Sequence, residues 1–469
     1  MKRVRSFGSF DDLRVPDIDA DSDSLGGSSD ADGESSLGGY VQDVSSFDRI
    51  LLASWEDRFA AGLFRYDVTA VKTKVVPGTY GFVAQFNEGR ATKKRPTEFA
   101  VDKVCQDFDG NKFNFTKAGK QEILFCFEKA ALGTVGSTEF HAARAPQSQA
   151  TVVLINVSPI EYGHVLLVPQ ITDCLPQRIT PELLLPPLYM AAESRNPYFR
   201  VGYNSLGAYA TINHLHFQAY YLMEAFPIER APTTRLPPGV YKKRHRHGAT
   251  VSQVTNYPVR CLCFELGESF ESLADLVGTC CERLQAKDIP FNLLIADHGA
   301  RVFLIPQKFS HRAAKGDIPE DVAATGVNPA VFEISGHLLY KQQEDYDNVS
   351  EASAVKMLQC ASLTEEDFYE TVTHILDEEG MKKHSTLERI PGSIDGGSRE
   401  LGEQCPALEP QAPLFSVVED ASSAPASDDQ SVPDICDTGE KYGASLDEPQ
   451  LSPTHPPLCS DSEDGVVPS

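Results

Sequence analysis

The segment from Ile212 to Tyr221 constrains the fold of this chain more than any other, because it has the alternating pattern of a half-buried β-strand. In a strand, successive side chains point to opposite faces of the sheet. One face carries polar side chains, from His214, His216 and Gln218, and the other carries apolar ones, from Leu215, Phe217, Ala219 and Tyr221. The pattern predicts a sheet with one face in a hydrophobic core and a row of two imidazoles and an amide over a pocket.

Three interpretations of this polar row compete. The row could simply be solvated, or it could bind zinc, since His-x-His on a strand places two nitrogens within reach of one metal ion. Gln218 argues against zinc, because a neutral amide is a poor zinc ligand. The third interpretation is covalent catalysis, in which a histidine attacks phosphorus while the amide donates to phosphoryl oxygens. We favour catalysis, and we expect neither a metal ion nor a cofactor.

Strand-like runs dominate the middle of the chain, with helices between them. Apolar and β-branched residues next to Gly or Pro predict strands at 82–86, 150–156 and 164–169. Apolar residues spaced by three and four predict amphipathic helices at 270–284 and 368–376. The fold class expected from this mixture is α+β.

A weak internal repeat indicates two similar halves. The apolar run 163–170 ends in Pro-Gln, and the apolar run 299–307 contains the same ending. Apolar strands often resemble one another by chance, so the repeat alone is only suggestive.

Both ends of the chain, residues 1–45 and 391–469, are expected to be disordered acidic tails. They are rich in Ser, Asp, Gly and Pro, so they cannot bury enough apolar surface to offset the entropy of ordering. The tails carry −20 of the net charge of −25. The middle of the chain is therefore only mildly acidic, and nothing favours nucleic acid as a nonspecific partner.

The composition also predicts where the protein works. Its eleven cysteines show no Cys-x-x-Cys pattern, which suits a reducing compartment. No apolar run has the length of a membrane span, so we expect no membrane partner. We expect a cytoplasmic protein; the basic run 242–247 leaves a nuclear location as an alternative. The sequence does not predict the oligomeric state.

The motif His214-Leu215-His216-Phe217-Gln218 resembles the histidine-triad superfamily. Its version ending in Gln is that of the nucleotidyltransferase branch, which includes galactose-1-phosphate uridylyltransferase. Longer stretches resemble the plant GDP-L-galactose phosphorylases, at 95–99, 109–117, 156–164 and 328–337. Together the matches cover roughly residues 46–380, which makes them far more specific than the short histidine motif.

The resemblance implies tandem histidine-triad-like units built on antiparallel sheets. The first unit, residues 46–248, would supply the nucleophile, and the second, residues 249–390, would complete the pocket. Residues 333–337 of the second unit are expected to stand in place of the reactive row. The second unit is therefore expected to be catalytically degenerate.

The resemblance also implies roles for single residues. His216 would be the nucleophile, the backbone of His214 would accept the other ring N–H and so fix its tautomer, and Gln218 would hydrogen-bond the α-phosphate. Because Gln218 is neither acid nor base, it would favour transfer over hydrolysis. Further substrate-binding candidates are Thr211, Asn204, Lys112 and Lys117. For the two lysines, which could bring positive charge to the pyrophosphate, an ordinary surface position is the alternative.

The reaction implied by the resemblance converts GDP-L-galactose and inorganic phosphate into L-galactose 1-phosphate and GDP, through a guanylylated histidine. Its partners are thus a GDP-sugar and phosphate, and the resemblance places it in ascorbate synthesis. A phosphorylase of GDP-glucose or of another nucleotide substrate is an alternative with the same chemistry. An alternative of another class is a regulatory protein with an inactive nucleotide pocket.

Overall fold

An eleven-stranded antiparallel sheet is the central element of the computed structural model, which describes residues 44–89, 103–128, 139–142, 150–237 and 248–377. The basic run 242–247, the matched stretch 95–99 and the two predicted tails, apart from residues 44 and 45, lie outside these residues. The strand order in the large sheet is β4-β3-β5-β6-β8-β7-β12-β13-β11-β10-β9, and a smaller sheet has the order β1-β2-β14. The strands are β1 Lys72–Val75, β2 Val83–Phe86, β3 Ile123–Glu128, β4 Glu139–Ala142, β5 Thr151–Ile155, β6 Val165–Pro169, β7 Phe199–Asn204, β8 Phe217–Tyr221, β9 Thr233–Arg235, β10 Thr250–Val254, β11 Leu262–Glu265, β12 Phe291–Ala296, β13 Arg301–Pro306 and β14 His337–Tyr340.

Helices connect and cover these strands. They are α1 Ser46–Ala60, α2 Pro181–Glu193, α3 Pro227–Arg230, α4 Phe270–Ala286, α5 Phe309–Ala314, α6 Glu320–Ala324, α7 Val331–Ile334, α8 Gln343–Asn348, α9 Glu351–Ala361 and α10 Glu365–Ile375. The predicted helices 270–284 and 368–376 correspond to α4 and α10, and the three predicted strands correspond to β2, β5 and β6. Within the described ranges, none of these helices has the length and apolarity needed to cross a bilayer.

The large sheet consists of two halves with the same topology. Along the chain, β3, β5, β6, α2, β7 and β8 form the first half, and β9, β10, β11, α4, β12 and β13 form the second. Outward from the β7–β12 junction, the strand order is β7-β8-β6-β5-β3 on one side and β12-β13-β11-β10-β9 on the other. The predicted α+β class and the tandem antiparallel units are confirmed. The unit bounds at 248 and 390 stay predictions.

The sequence repeat, from which two halves were inferred, does not pair strands that are equivalent in the sheet. It matched 163–170 with 299–307, which equates β6 with β13. In the sheet, β6 occupies the place of β11, and β13 occupies the place of β8, the strand that follows the histidines. Residues 333–337 therefore do not replace the reactive row; they end α7 and begin β14. The error arises because any central strand buried on both faces is continuously apolar, whatever its place in the sheet.

One face of the large sheet packs against α1, α2, α4 and α10. Helix α4 begins after the N-cap Ser269 and buries the predicted apolar stripe, which includes Leu273, Val277 and Leu284. It crosses α2 closely at Gly278, where an added Cβ would lie 2.5 Å from the Cα of Pro181. The long hydrophobic core between this helical layer and the sheet fixes the orientation of β7 and β8.

The other face of the large sheet is covered by α7 and the small sheet. Helix α7 contacts β7 and β12. It can approach so closely because residue 202 of β7 is glycine; a Cβ there would lie 2.6 Å from Val331 Cγ1. In the small sheet β14 pairs in parallel with β2, which joins the C-terminal part of the second half to the N-terminal strands. These elements enclose a cavity over the polar side of β8.

Candidate functional site

A cavity of about 430 Å³ lies over the face of the first half that is opposite α2. Strands β5, β6, β7 and β8, the segment 113–117, α7 and β14 contribute residues to its wall. The volume is within the usual range for small-molecule sites. Both halves of the fold therefore contribute to one cavity.

His216 lies directly before β8, and this strand is shorter than the sequence pattern predicted. The strand begins at Phe217, and residues 212–214 form a bend. The Asn213 side chain holds this bend by donating to the carbonyls of Gln106 and Asp107, at 3.2 and 2.9 Å. The predicted apolar face is confirmed: Leu215, Phe217, Ala219 and Tyr221 are buried in the large core.

The imidazole of His216 is held through Nδ1. This atom lies 2.8 Å from the carbonyl oxygen of His214 and 3.1 Å from Oε1 of Gln177. Both neighbours are acceptors, so Nδ1 carries the proton and Nε2 keeps its lone pair. The hydrogen bond to the His214 carbonyl is the one that the resemblance implied.

The same surroundings keep the His216 ring neutral. Burial lowers its pKa to about 4, against the opposing effect of the hydrogen bond to His214. The ring of Phe115 lies 5.0 Å away, centroid to centroid, and adds to the apolar environment. Near neutral pH the side chain is therefore an uncharged imidazole, the form in which a histidine acts as a nucleophile.

The side chain of His214 does not share the cavity wall with His216, which corrects the predicted three-residue row. Its Nδ1 accepts a hydrogen bond from the backbone N–H of Phe115 at 3.1 Å, and its ring lies 5.4 Å from that of Phe108. Burial, and then the nearby His216, lower its pKa to about 4. The alternation rule fails at this position because the backbone bends before the strand begins. His214 thus reaches the site through its carbonyl group.

Gln218, Thr211 and Asn204 lie on the cavity wall together with His216. Gln218 follows His216 by two residues and lies near the start of β8, next to β6 and β7. Asn204 ends β7, and its Oδ1 accepts hydrogen bonds from Asn292 Nδ2 at 2.7 Å and from Val331 N at 2.8 Å. These donors fix the orientation of the Asn204 amide, so that its Nδ2 is the group available to donate to a ligand.

The two predicted lysines differ in position. Lys117 contributes to the cavity wall, and its exposed ammonium donates to the carbonyls of Asn111 and Lys112, at 3.0 and 2.8 Å. Lys112 lies outside the wall, so its predicted contact with substrate is not supported. The reason is a local turn: the Asn114 side chain caps the short helix Phe115–Lys117, which brings Lys117 to the cavity side.

Several residues around the cavity were not predicted individually. Polar groups from the end of β2 and from the segments after β13 also line the wall. They are Asn87, Asn328, Glu333 and Lys341. Tyr209 also lines the cavity; it has a positive φ of 72°, and burial raises its pKa well above the usual range, with a smaller contribution from Glu333. Gln177 lies behind His216. The matched stretch 328–337 contains Asn328 and Glu333, and the stretch 204–211, which resembles the segment that lines the phosphates in relatives, contains Tyr209.

Other histidines near the site are packed into the structure. Nδ1 of His164 accepts the backbone N–H of Ile160 at 2.8 Å, and His337 Nδ1 lies 2.8 Å from the Tyr220 hydroxyl. Burial lowers the pKa of His337 to about 3. In the part of the chain that the structure describes, no three His, Cys, Asp or Glu side chains are grouped as metal ligands.

Known proteins resemble this chain along most of its described length. GDP-L-galactose phosphorylase 1 of Arabidopsis thaliana is 52% identical over 353 residues, 75% of this chain and 77% of that protein. GDP-L-galactose phosphorylase 2 of the same plant is 50% identical, covering 79% and 85%. Human GDP-D-glucose phosphorylase 1 is 35% identical, covering 67% and 79%. Among solved structures, yeast Ap4A phosphorylase Apa2 in complex with Ap4A has a TM-score of 0.46 and 15% identity, covering 68% of this chain and 99% of that one.

Two family models match the chain in succession. The model described as GDPGP1-like, N-terminal domain, matches residues 46–220, and the model described as GDPGP1-like, C-terminal domain, matches residues 227–381. The first range contains the histidine motif, and the second contains α7 and β14, which close the cavity. The chain therefore belongs to the GDPGP1-like family.

Proposed function

We propose that this protein is a GDP-L-galactose phosphorylase, which converts GDP-L-galactose and phosphate into L-galactose 1-phosphate and GDP. The choice of sugar is supported by the two Arabidopsis relatives with this name, at 52% and 50% identity, against 35% for the human enzyme named for GDP-D-glucose. Within this reaction the protein would serve the ascorbate pathway.

The observation that carries the chemistry is the state of His216. Its Nδ1–H is engaged by two acceptors, its pKa lies near 4, and the residue lines the cavity. Nε2 attacks the α-phosphorus of the GDP-sugar and forms an N–P bond. The bond from this phosphorus to the bridging oxygen breaks, and L-galactose 1-phosphate leaves with the electron pair.

The second step restores the enzyme. An oxygen of inorganic phosphate attacks the same phosphorus, the N–P bond breaks, and its electron pair returns to Nε2 as GDP forms. Gln218, Thr211 and Asn204 lie on the same wall as His216 and donate hydrogen bonds to the phosphoryl oxygens. Lys117 supplies positive charge near the pyrophosphate, while the wall from the second half contacts the rest of the substrate.

The test is to trap the guanylylated enzyme. Without phosphate the first step proceeds and the second cannot, so GDP-L-galactose should add one GMP group to His216, as seen by mass spectrometry. One equivalent of L-galactose 1-phosphate should appear in a burst, and added phosphate should discharge the adduct as GDP. His216→Ala, with folding checked by circular dichroism, should form no adduct and lose nearly all turnover.

Initial rates at varied concentrations of both substrates provide the decisive comparison. A covalent intermediate predicts parallel double-reciprocal lines. Intersecting lines together with the absence of an adduct would instead indicate direct attack by phosphate in a ternary complex, and His216 would need another role.

A second candidate is phosphorolysis of GDP-D-glucose, which the human relative at 35% identity favours. Its chemistry at His216 is identical, so the two differ only in contacts with the sugar. Comparing kcat/KM for GDP-L-galactose and GDP-D-glucose distinguishes them. A dinucleoside polyphosphate in the same assay tests whether a sugar is required.

A further inference from the structure

Gln177 lies outside the cavity wall, yet its side chain brackets His216. Its Oε1 accepts the backbone N–H of His216 at 2.9 Å and lies 3.1 Å from the ring Nδ1. Its Nε2 donates to the backbone carbonyl of His216 at 3.1 Å and to that of Asn204 at 2.9 Å. The residue is 1% exposed, so these bonds form where water does not compete.

The side-chain amide of Gln177 makes the two backbone hydrogen bonds that a neighbouring strand would make. His216 precedes β8, so its backbone N–H and carbonyl have left the regular ladder of the sheet. An unpaired buried backbone group is destabilising, and Gln177 satisfies both groups with one amide. The same side chain also joins His216 to Asn204 on β7. The position of the nucleophile relative to this cavity residue therefore depends on Gln177.

The amide also has a defined orientation. Its Nε2 faces two carbonyl oxygens, so Oε1 must face the backbone N–H and the ring Nδ1 of His216. An acceptor at that position favours the tautomer with hydrogen on Nδ1. A carboxylate there would do the same but would also stabilise the imidazolium and raise the pKa of His216. A neutral acceptor orients the ring and raises its pKa much less than a carboxylate would.

We propose that Gln177 is the positioning residue of the nucleophile: it favours the Nδ1–H tautomer of His216 and holds the ring in place beside Asn204 without putting a charge next to it. The inference deepens the function proposed above and rests on it for its kinetic readout. Its structural readout needs no substrate.

The first measurement is NMR on protein with ¹⁵N-labelled histidine, with the His216 signals assigned by their loss in His216→Gln. In the unmodified protein, the ring should carry hydrogen on Nδ1. If the hydrogen is on Nε2, the proposal is overturned before any change is made at Gln177.

Two substitutions then separate orientation from charge. Gln177→Glu should raise the pKa of His216 by at least one unit, so that the acid limb of the single-turnover guanylylation rate moves to higher pH. Gln177→Leu leaves only the His214 carbonyl to accept from Nδ1, so it should weaken the preference for the Nδ1–H tautomer and slow guanylylation by about 10- to 100-fold. The Kd for the GDP-sugar should change less than threefold in both variants.

Gln285 is a matched control. Its amide brackets Ile179 in the same way, accepting the backbone N–H at 2.7 Å and donating to the carbonyl at 2.9 Å. Ile179 is only two residues from Gln177, but no histidine ring is involved. Gln285→Leu should therefore lower thermal stability while the His216 signals and the pH profile stay as in the unmodified protein.

The results for the Gln177 variants can be told apart from a failure of the proposed function. If Gln177→Glu is folded and leaves both the ring pKa and the acid limb unchanged, Gln177 is merely structural. If the unmodified protein forms no guanylyl adduct, the proposed reaction is wrong, while the tautomer and pKa of His216 still decide the role of Gln177.

Discussion

At the scale of single residues, the neighbours of His216 and Gln218 determine what each can do in the proposed reaction. His216 is neutral, with its Nδ1–H engaged, so it can attack phosphorus near neutral pH. Gln218 lies on the same wall but carries an amide, which can hydrogen-bond phosphoryl oxygens and cannot take a proton from water. This difference should control what happens to the covalent intermediate.

Gln218→His should shift the reaction from phosphorolysis towards hydrolysis. An imidazole at this position can act as a general base for water, typically accelerating proton transfer by about 10²-fold or more. The measurement is the ratio of GMP to GDP formed from GDP-L-galactose at fixed phosphate, which should rise. Gln218→Asn is the control, because it shortens the amide without adding a base and should slow the enzyme at an unchanged ratio. An equal product ratio for Gln218→His and the unmodified enzyme would remove this role from Gln218.

At the scale of elements, the packing of α7 on β7 forms one side of the site. Val331 N donates to Asn204 Oδ1 at 2.8 Å, and the next residues of α7, Phe332 and Glu333, line the cavity. Gly202 permits this contact because it has no Cβ. The cavity thus depends on a close approach between the two halves of the fold.

Gly202→Ala should push α7 away from β7. The added Cβ would lie 2.6 Å from Val331 Cγ1, and such overpacking costs about 1 to 3 kcal/mol of stability. Because the Phe332 and Glu333 wall moves with α7, KM for the GDP-sugar should rise more than kcat falls. Urea unfolding and steady-state kinetics measure the two effects.

Gly278→Ala provides the comparison on the opposite face of the sheet. There the Cβ would meet the Cα of Pro181 at 2.5 Å, so a similar loss of stability is expected, with KM unchanged. If the two variants affect KM equally, the contact of α7 with β7 has no special importance for the site.

At the scale of the whole molecule, buried ionisable groups set how stability depends on pH. Burial lowers the pKa of His214 and His216 to about 4, so the unfolded chain binds protons at these sites first as pH falls, and stability is lost below about 6.5.

Glu161 affects stability in the opposite direction. It is fully buried, and burial raises its pKa to about 8. The folded state therefore holds Glu161 protonated, and stability is lost as pH rises from the ordinary value of 4.5 towards 8.

Glu161→Gln should remove the loss of stability that Glu161 causes as pH rises. The variant should gain stability relative to the unmodified protein by on the order of 3 kcal/mol between pH 5 and pH 8, since each unit of pKa shift corresponds to about 1.4 kcal/mol. The check is urea unfolding followed by circular dichroism at several pH values in that range. Curves that stay parallel would show that Glu161 ionises alike in the folded and unfolded states.

Local patterns in the sequence were sufficient for the elements and for part of the site. The three- and four-residue spacing predicted α4, whose burial depends only on which residues share a helical face. The alternation from Leu215 to Tyr221 predicted which side of β8 enters the core. The contact between the His216 ring and the His214 carbonyl spans two residues, so a short motif could contain it.

Contacts between distant parts of the chain were decided only by the tertiary structure. Gln177 lies 39 residues before His216, and nothing in the local pattern around it indicates the contact. Glu333 joins the wall because α7 packs over β7, and the turn capped by Asn114 places Lys117 on the wall while Lys112 stays outside it. The correspondence of β13 with β8 likewise required the sheet order. The physical reason is common to all: period and capping act within a few residues, whereas the composition of a cavity depends on which elements become neighbours when the hydrophobic core forms.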